Sequence, residues 1–287
     1  MSDGLLQHFG LLARPFEIVT DARFFFASRE HEEALARLLY LVDQESMYFG
    51  MLTGEIGAGK SITRKVLTER MDRRRHYVVE FENSGFSFGD LILRLFVKAG
   101  YEVGDVPSAS DYGGLFDALA DFACALQREQ GRQLVLLFDE AQDLDKETLE
   151  SLKRLSNLNG EMECRITMVF IGQPELRSQI AKLPPMDQRI SLRFHLPNLS
   201  QDELAAYLSH RLRVAGHPSG ELFDEATIAL LYDSSNGVPR ELNRLAKLAL
   251  DAAAAAKKPS VGAQEVAAVI GDLQRHQSLP WGRGLPK

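Results

Sequence analysis

The chain has 287 residues, a formal net charge of −7, 45% hydrophobic residues and 25% charged residues. That profile describes a soluble globular protein, built as one large domain or two of ordinary size, and it excludes a constitutive polycation. No run reaches the roughly 18 uninterrupted apolar residues of a membrane span. The opening Met1-Ser2-Asp3-Gly4 lacks the basic and apolar regions of a secretory signal. A cytoplasmic protein is therefore expected, with no direct membrane span and peripheral at the inner membrane only through partners.

Four short apolar runs stand out in chain order: Met47 to Thr53, Tyr77 to Phe81, Leu134 to Phe138 and Ile166 to Ile171. Continuous rather than alternating hydrophobicity suits strands buried on both faces of a parallel sheet. Helical patterns separate them at Glu30 to Asp43, Ser61 to Met71, Phe88 to Ala99 and Tyr112 to Gln130. Gly100 and Gly131 supply the last two stops. Met186 to Arg193 leads into the last strand of this part. After Pro197 the pattern is helical only: Gln201 to Ala215, Asp224 to Ser234, Pro239 to Ala256 and Ala263 to Gln274. Ser200 and Glu203 form a capping box ahead of the first. The expectation is an α/β nucleotide-binding domain with an N-terminal extension over 1–197, a helical lid over 198–275 and a disordered tail over 276–287. Cys124 and Cys164 lie far apart, without metal-ligand spacing, and read as two buried free thiols.

The chemistry starts at Gly54-Glu55-Ile56-Gly57-Ala58-Gly59-Lys60-Ser61, which fits G-x-x-x-x-G-K-[ST] between a strand and a helix. Glycines let backbone N–H groups turn toward phosphate oxygens, and the helix N-terminus adds partial positive charge. Lys60 would reach the β- and γ-phosphates of ATP, Ser61 would ligate Mg²⁺, and Ile62 follows in the same nucleotide-binding segment. Leu134 to Phe138 then runs into Asp139-Glu140. Asp139 is the candidate Mg²⁺ acid and Glu140 the candidate general base for an attacking water. The competing structural role for the pair is capping of a helix from Ala141.

Gln173, after the strand ending at Ile171, either positions water near the γ-phosphate or caps the helix that Pro174 starts. Arg189 and Arg193 stand at the domain edge. An arginine offered there to a neighbouring subunit's nucleotide is worth about 10³–10⁵ in rate in known cases, and Arg189 is the preferred candidate. Arg240 sits in the first turn of the helix opened by Pro239, where a cation works against the helix dipole. An anion must hold it, either nucleotide phosphate or a carboxylate.

These residues resemble those of AAA+ ATPases, and more narrowly of the ExeA-type general secretion pathway A proteins and the ATPases of mannose-sensitive haemagglutinin pilus biogenesis. The resemblance runs from Phe9-Gly10-Leu11 and Arg14-Pro15-Phe16 through Gly54–Ser61. It continues in Asp139 to Leu144, Leu155 to Leu158, Gly172 to Leu176, Gln188-Arg189-Ile190 and Val238-Pro239-Arg240. It implies Asp139 and Glu140 as the Walker B pair, Gln173 near sensor 1, Arg189 as finger and Arg240 as sensor 2. It implies further that the stretch from Pro15-Phe16 to Phe26 wraps the adenine, although on residues alone this reads as a packed extension. A ring or helical oligomer follows from the same kinship. Secretion pathway A proteins commonly continue into a membrane span and a periplasmic domain, and the sequence ends at Lys287 without them. The architecture of the soluble pilus-associated members is therefore expected.

The leading functional expectation is an oligomeric ATPase that assembles or remodels a secretion or type IV pilus apparatus through its protein partners. The alternative is a DNA-binding transposition regulator of the MuB, TnsC and TniB kind, forming ATP-dependent filaments. It draws on Arg73-Arg74-Arg75-His76 and on Arg211 with Arg213. A small-molecule phosphotransferase lacks an identifiable acceptor pocket.

Overall fold

Strands whose residues are apolar at every position must be covered on both sides, and the computed structural model covers them so. It describes residues 3–17, 21–44, 47–158 and 164–276. In chain order the elements are α1 (Asp3–Phe9), α2 (Arg29–Asp43), β1 (Phe49–Gly54), α3 (Lys60–Arg70), β2 (His76–Phe81) and α4 (Phe88–Lys98). Then come α5 (Tyr112–Gln130), β3 (Gln133–Phe138), α6 (Lys146–Leu155), β4 (Ile166–Gly172), α7 (Glu175–Ala181), α8 (Pro184–Asp187) and β5 (Ile190–Leu196). The remaining helices are α9 (Gln201–Val214), α10 (Glu225–Ser235), α11 (Pro239–Ala255) and α12 (Ala263–Arg275). From Gln277 on, the expected tail lies outside the described residues. Among the described residues no helix is long and apolar enough to cross a membrane.

The chain divides into two compact units. One comprises Glu32–Ile56 and Thr63–Leu196. Its sheet runs β2-β3-β4-β1-β5 with every pair parallel. All C-terminal strand ends therefore lie at one edge. One sheet face carries Phe49, Met51, Leu134, Leu136, Phe138, Ile166, Met168 and Phe170, packed with the apolar faces of α4, α5 and α6. Four of its phenylalanines stack strand to strand: Phe81 on Phe138 at 5.0 Å, Phe138 on Phe170 at 5.4 Å and Phe170 on Phe49 at 5.9 Å. The intervening residues Leu52, Val135, Leu137, Val169 and Ile171 are equally buried. Gly131 ends α5 in the left-handed region, as the sequence predicts. β5 begins at Ile190, so Arg193 stands within the last strand and not ahead of it.

The other unit takes in residues up to His31, Gly57–Ile62 and the chain from Pro197. Leu5, Phe9, Leu11, Phe16 and Phe24 share its core with Leu204, Leu208, Leu242 and Leu245. Glu203 accepts from both the backbone N–H and the hydroxyl of Ser200, the predicted N-terminal cap of α9. Arg211 is 4% exposed, its guanidinium over the Phe24 ring and donating to the carbonyls of Pro15 (2.6 Å) and Glu17 (2.8 Å). This corrects the expectation that Arg211 stands in a basic surface pair. The guanidinium is consumed in fastening the N-terminal segment. His76 is likewise buried, and Arg75 pairs with Asp43 at 3.0 Å, which leaves Arg73 and Arg74 exposed and with no ion pair among the described residues.

Replacing Arg211 by leucine removes charged donors from two carbonyls. It should lower stability by about 2–3 kcal/mol, read from urea unfolding. A change below 0.5 kcal/mol would show that the segment is held otherwise. Both cysteines are buried, and burial together with the neighbouring Cys124 thiol pushes Cys164 up to about 12. Neither thiol should react with a disulfide reagent at pH 8 until denaturant is added; prompt labelling of the folded chain would contradict this.

Candidate functional site

The loop Gly54–Ser61 joins β1 to α3, so the last strand residue hands directly to the phosphate-binding turn. Gly57 and Gly59 adopt φ of +86° and +101°, where L side chains are strained. Space is closed as well. A Cβ on Gly57 would stand 2.7 Å from the Arg240 β-carbon, and one on Gly59 would stand 2.8 Å from His31 Nε2. His31 is buried, with Ser28 Oγ 2.6 Å from its Nδ1. α3 opens at Lys60, so the first-turn N–H groups have no acceptor within the helix. Lys60 is 7% exposed, Ser61 is exposed, Ala58 is fully buried, and Glu55 and Ile56 face solvent. Ile62 is half-buried. A glycine turn without room for side chains, followed by a helix N-terminus and a lysine, fits phosphate.

Arg240 occupies the second position of α11, and its backbone N–H donates to the Gly57 carbonyl at 3.3 Å. The start of α11 thus lies against the phosphate loop's backbone, with the Arg240 side chain exposed. That contact places the backbone of Arg240 at the loop; the anion expected to hold its guanidinium is left to the proposal below. Phe16 is 2% exposed, edge-on to Phe223 at 5.8 Å within the helical core. Its visible contribution is packing, which is the reading its residue type supports alone.

At the sheet edge, β3 ends on Phe138 and delivers Asp139 and Glu140. β4 separates β3 from β1, so by strand spacing the two chain exits stand about 10 Å apart. Asp139 is 5% exposed and tightly held. Its Oδ1 accepts from the Glu140 N–H (3.0 Å), its Oδ2 from Arg64 Nε (3.1 Å), and its carbonyl from Ser84 Oγ (2.6 Å). Arg64 is itself buried and also donates to Glu80, with Glu82 at 4.0 Å. Sequence reading missed Arg64. Its signal is position, four residues beyond Lys60 and so on the same face of α3.

Glu140 has φ 49° and ψ 42°, left-handed backbone that costs a non-glycine residue about 1–2 kcal/mol. Its side chain makes no cap to the short turn Ala141–Asp143, so helix capping does not account for it. Asn236 and Lys257 share this backbone region just after helices, whereas Glu140 adopts it at a strand end, where it sets the direction of the chain. Gln173 follows β4 directly, and its side chain makes no cap to α7 either, because Pro174 holds the cap position. Arg189 Nη1 donates to Lys153 O (3.1 Å), Asn157 Oδ1 (2.8 Å) and Ser156 Oγ, all at the C-terminal end of α6. Arg193 pairs with Asp187 at 2.8 Å. Among the described residues no cluster of three or more His, Cys, Asp or Glu is placed to hold a metal. A divalent ion here would need phosphate oxygens among its ligands, as Mg²⁺ in nucleotide sites does.

Residues 43–180 match the AAA domain family. General secretion pathway protein A of Aeromonas hydrophila is 34% identical over 251 residues, covering 86% of this chain and 44% of that protein. The chain thus spans less than half the length of this relative. Among solved structures, the Aeropyrum pernix ORC2 protein superposes with a TM-score of 0.69 at 18% identity, covering 94% of this chain and 74% of that one. Drosophila ORC bound to DNA gives 0.65 at 14% identity, covering 98% and 69%. The Thermotoga maritima RuvB Holliday junction branch migration motor gives 0.57 at 15%, covering 87% and 70%. At these identities the likeness is one of fold.

Replacing Gly59 by alanine should lower affinity for a fluorescent ATP analogue at least tenfold, because the backbone there costs about 1–3 kcal/mol with a side chain and His31 blocks the methyl. The same cost should lower the melting temperature by only a few degrees, so affinity is compared at a temperature where both chains are folded. Unchanged affinity would dissociate the loop from the phosphate.

Proposed function

We propose that this chain, which carries an AAA domain and is related to a secretion pathway A protein, binds Mg²⁺-ATP on Gly54–Ser61 and hydrolyses it to drive assembly within a secretion or pilus apparatus. The observation that carries the reading is the closed glycine turn ending in buried Lys60; a strand that delivers Asp139 and a backbone-strained Glu140 supports it independently. The proposed domains keep the sequence boundaries, 1–197, 198–275 and 276–287, with the N-terminal extension packed in the core of the helical unit.

In this reading Lys60 neutralises β- and γ-phosphate oxygens, and the N–H groups of the loop and α3 donate to them. Ser61 and Asp139 would hold Mg²⁺, which when bound supplies charge neutralisation at those oxygens. Glu140 orients a water and takes its proton. Gln173 stands beside this edge to position the same water. Arg240, seated on the loop backbone, senses the phosphate. Arg189 is the proposed finger toward a neighbouring copy's nucleotide in a ring or helical oligomer. The relative's name supports secretion components as partners, and a cytoplasmic location fits that role. Of the cations that motivated the DNA-filament alternative, Arg73, Arg74, Arg75 and Arg213 are exposed, Arg75 in an ion pair with Asp43, while His76 and Arg211 are buried.

Glu140→Gln should keep ATP binding while turnover falls by about 10²–10⁴-fold, and Lys60→Ala should lose binding. Phosphate release is measured for both, with and without duplex DNA. Wild-type turnover in Glu140→Gln would remove the base assignment. Stimulation by DNA together with steep loss of binding in salt would transfer the reading to nucleic acid.

A further inference from the structure

Gln142 lies two residues beyond Glu140, in the short turn Ala141–Asp143. Its carboxamide makes two hydrogen bonds of opposite sense. Nε2 donates to Glu140 Oε2 at 2.8 Å, and Oε1 accepts from the backbone N–H of Gln173 at 2.9 Å. An ionised carboxylate only accepts and a backbone N–H only donates, so the amide has one orientation compatible with both neighbours. The rest of the residue is fixed too. Its backbone carbonyl accepts from Gln179 Nε2 of α7 at 2.7 Å.

The strand end opposite has been left open for it. A Cβ on Gly172 would stand 2.6 Å from Gln142 Oε1 and 3.3 Å from its backbone nitrogen. Any larger residue at the end of β4 would push the carboxamide out of its seat. Glu140 Oε1 makes no protein hydrogen bond among the described residues, so Gln142 engages one carboxylate oxygen and leaves the other uncommitted.

We propose that Gln142 is a positioning residue that clamps the Glu140 carboxylate to the turn after β4, so that the candidate base and the Gln173 segment hold one joint position. The inference rests on the reading of Glu140 as general base. Neither residue reaches the other directly, and the amide supplies the missing link between two strand ends. A neutral amide suits the task, because it fixes direction without offering the carboxylate a full counter-charge. Gln173 is thereby coupled to hydrolysis through its backbone N–H, in addition to any contact by its side chain.

Three variants separate the halves of the clamp. Gln142→Glu keeps an acceptor for the Gln173 N–H but presents no donor to Glu140, and sets two carboxylates together. Gln142→Leu loses both bonds. Gly172→Ala displaces the carboxamide from the opposite side. In the chain of residues 1–287, ATP affinity and melting temperature are measured first, then turnover, then hydrogen exchange of the Gln173 amide by NMR. Expected are near-wild-type affinity in all three and turnover lowered tenfold or more. Exchange of the Gln173 amide should speed up at least tenfold in Gln142→Leu and Gly172→Ala, and remain slow in Gln142→Glu.

Turnover within twofold of wild type in Gln142→Glu overturns the clamp, as does unchanged Gln173 protection in Gln142→Leu. A variant that unfolds leaves the other two to decide. If Glu140→Gln itself hydrolyses ATP like wild type, the base reading fails separately, while the exchange data still report whether the link exists.

Discussion

Four phenylalanine rings stacked across neighbouring strands set the level of the C-terminal strand ends in the sheet. Phe81, Phe138 and Phe170 are register partners across β2, β3 and β4, and Phe49 of β1 continues the row. Each stacked contact adds about 0.5–1.5 kcal/mol beyond the area it buries, and a slip of one residue would turn these rings to the other face. Because the strands are parallel, that register also aligns their exits. Asp139 begins one residue beyond Phe138, and Gln173 begins three beyond Phe170. The candidate residues Asp139, Glu140 and Gln173 are therefore mounted on an apolar platform.

A second constraint is electrostatic. The edge gathers Asp139, Glu80 and Glu82 around one guanidinium, Arg64, which is 8% exposed in its side chain. Burying an unpaired charge costs several kcal/mol per ion, so the arginine and Asp139 stabilise one another only as a set. The consequence reaches the phosphate loop, because Arg64 lies one turn along the helix that Lys60 opens. α3 carries Lys60, the proposed phosphate cation, at its start and Arg64 for the strand-end acid. Both oxygens of Asp139 already accept hydrogen bonds, which suits an acid that acts on a hydrated ion more than one that strips it.

Local pattern made the sheet and the phosphate loop legible. β1 to β4 are continuous apolar runs, Gly131 is a stop written in one residue, and Gly54–Ser61 carries its chemistry in its own spacing. What sequence could not disclose depends on contacts far apart in the chain. Arg64 meets Asp139 across 75 positions, and Gln142 meets the Gln173 amide across 31. The N-terminal segment shows the same limit. Its aromatic residues were visible, but their enclosure with α9 and α11 depends on Arg211 reaching Pro15 across 196 positions. Phe16 was open to two readings for that reason, adenine contact and packing. Its burial accounts for the second without any ligand.

The two arginines at the edge of the α/β unit differ in a way that bears on the proposed finger. Arg193 is closed on one carboxylate and carbonyl of the same residue, Asp187, so its charge is balanced within the chain. Arg189 uses only Nη1, and every acceptor there is neutral. A cation at the C-terminal end of α6 is favourable by the helix dipole, yet it retains its full charge. Its other guanidinium N–H groups bond to no acceptor among the described residues. An arginine fastened by one nitrogen has already lost much of its side-chain freedom, so presenting the remaining donors to an incoming anion costs less entropy than ordering a free side chain. The anchoring at α6 and the proposed role across an interface are therefore compatible, and together they favour Arg189 over Arg193.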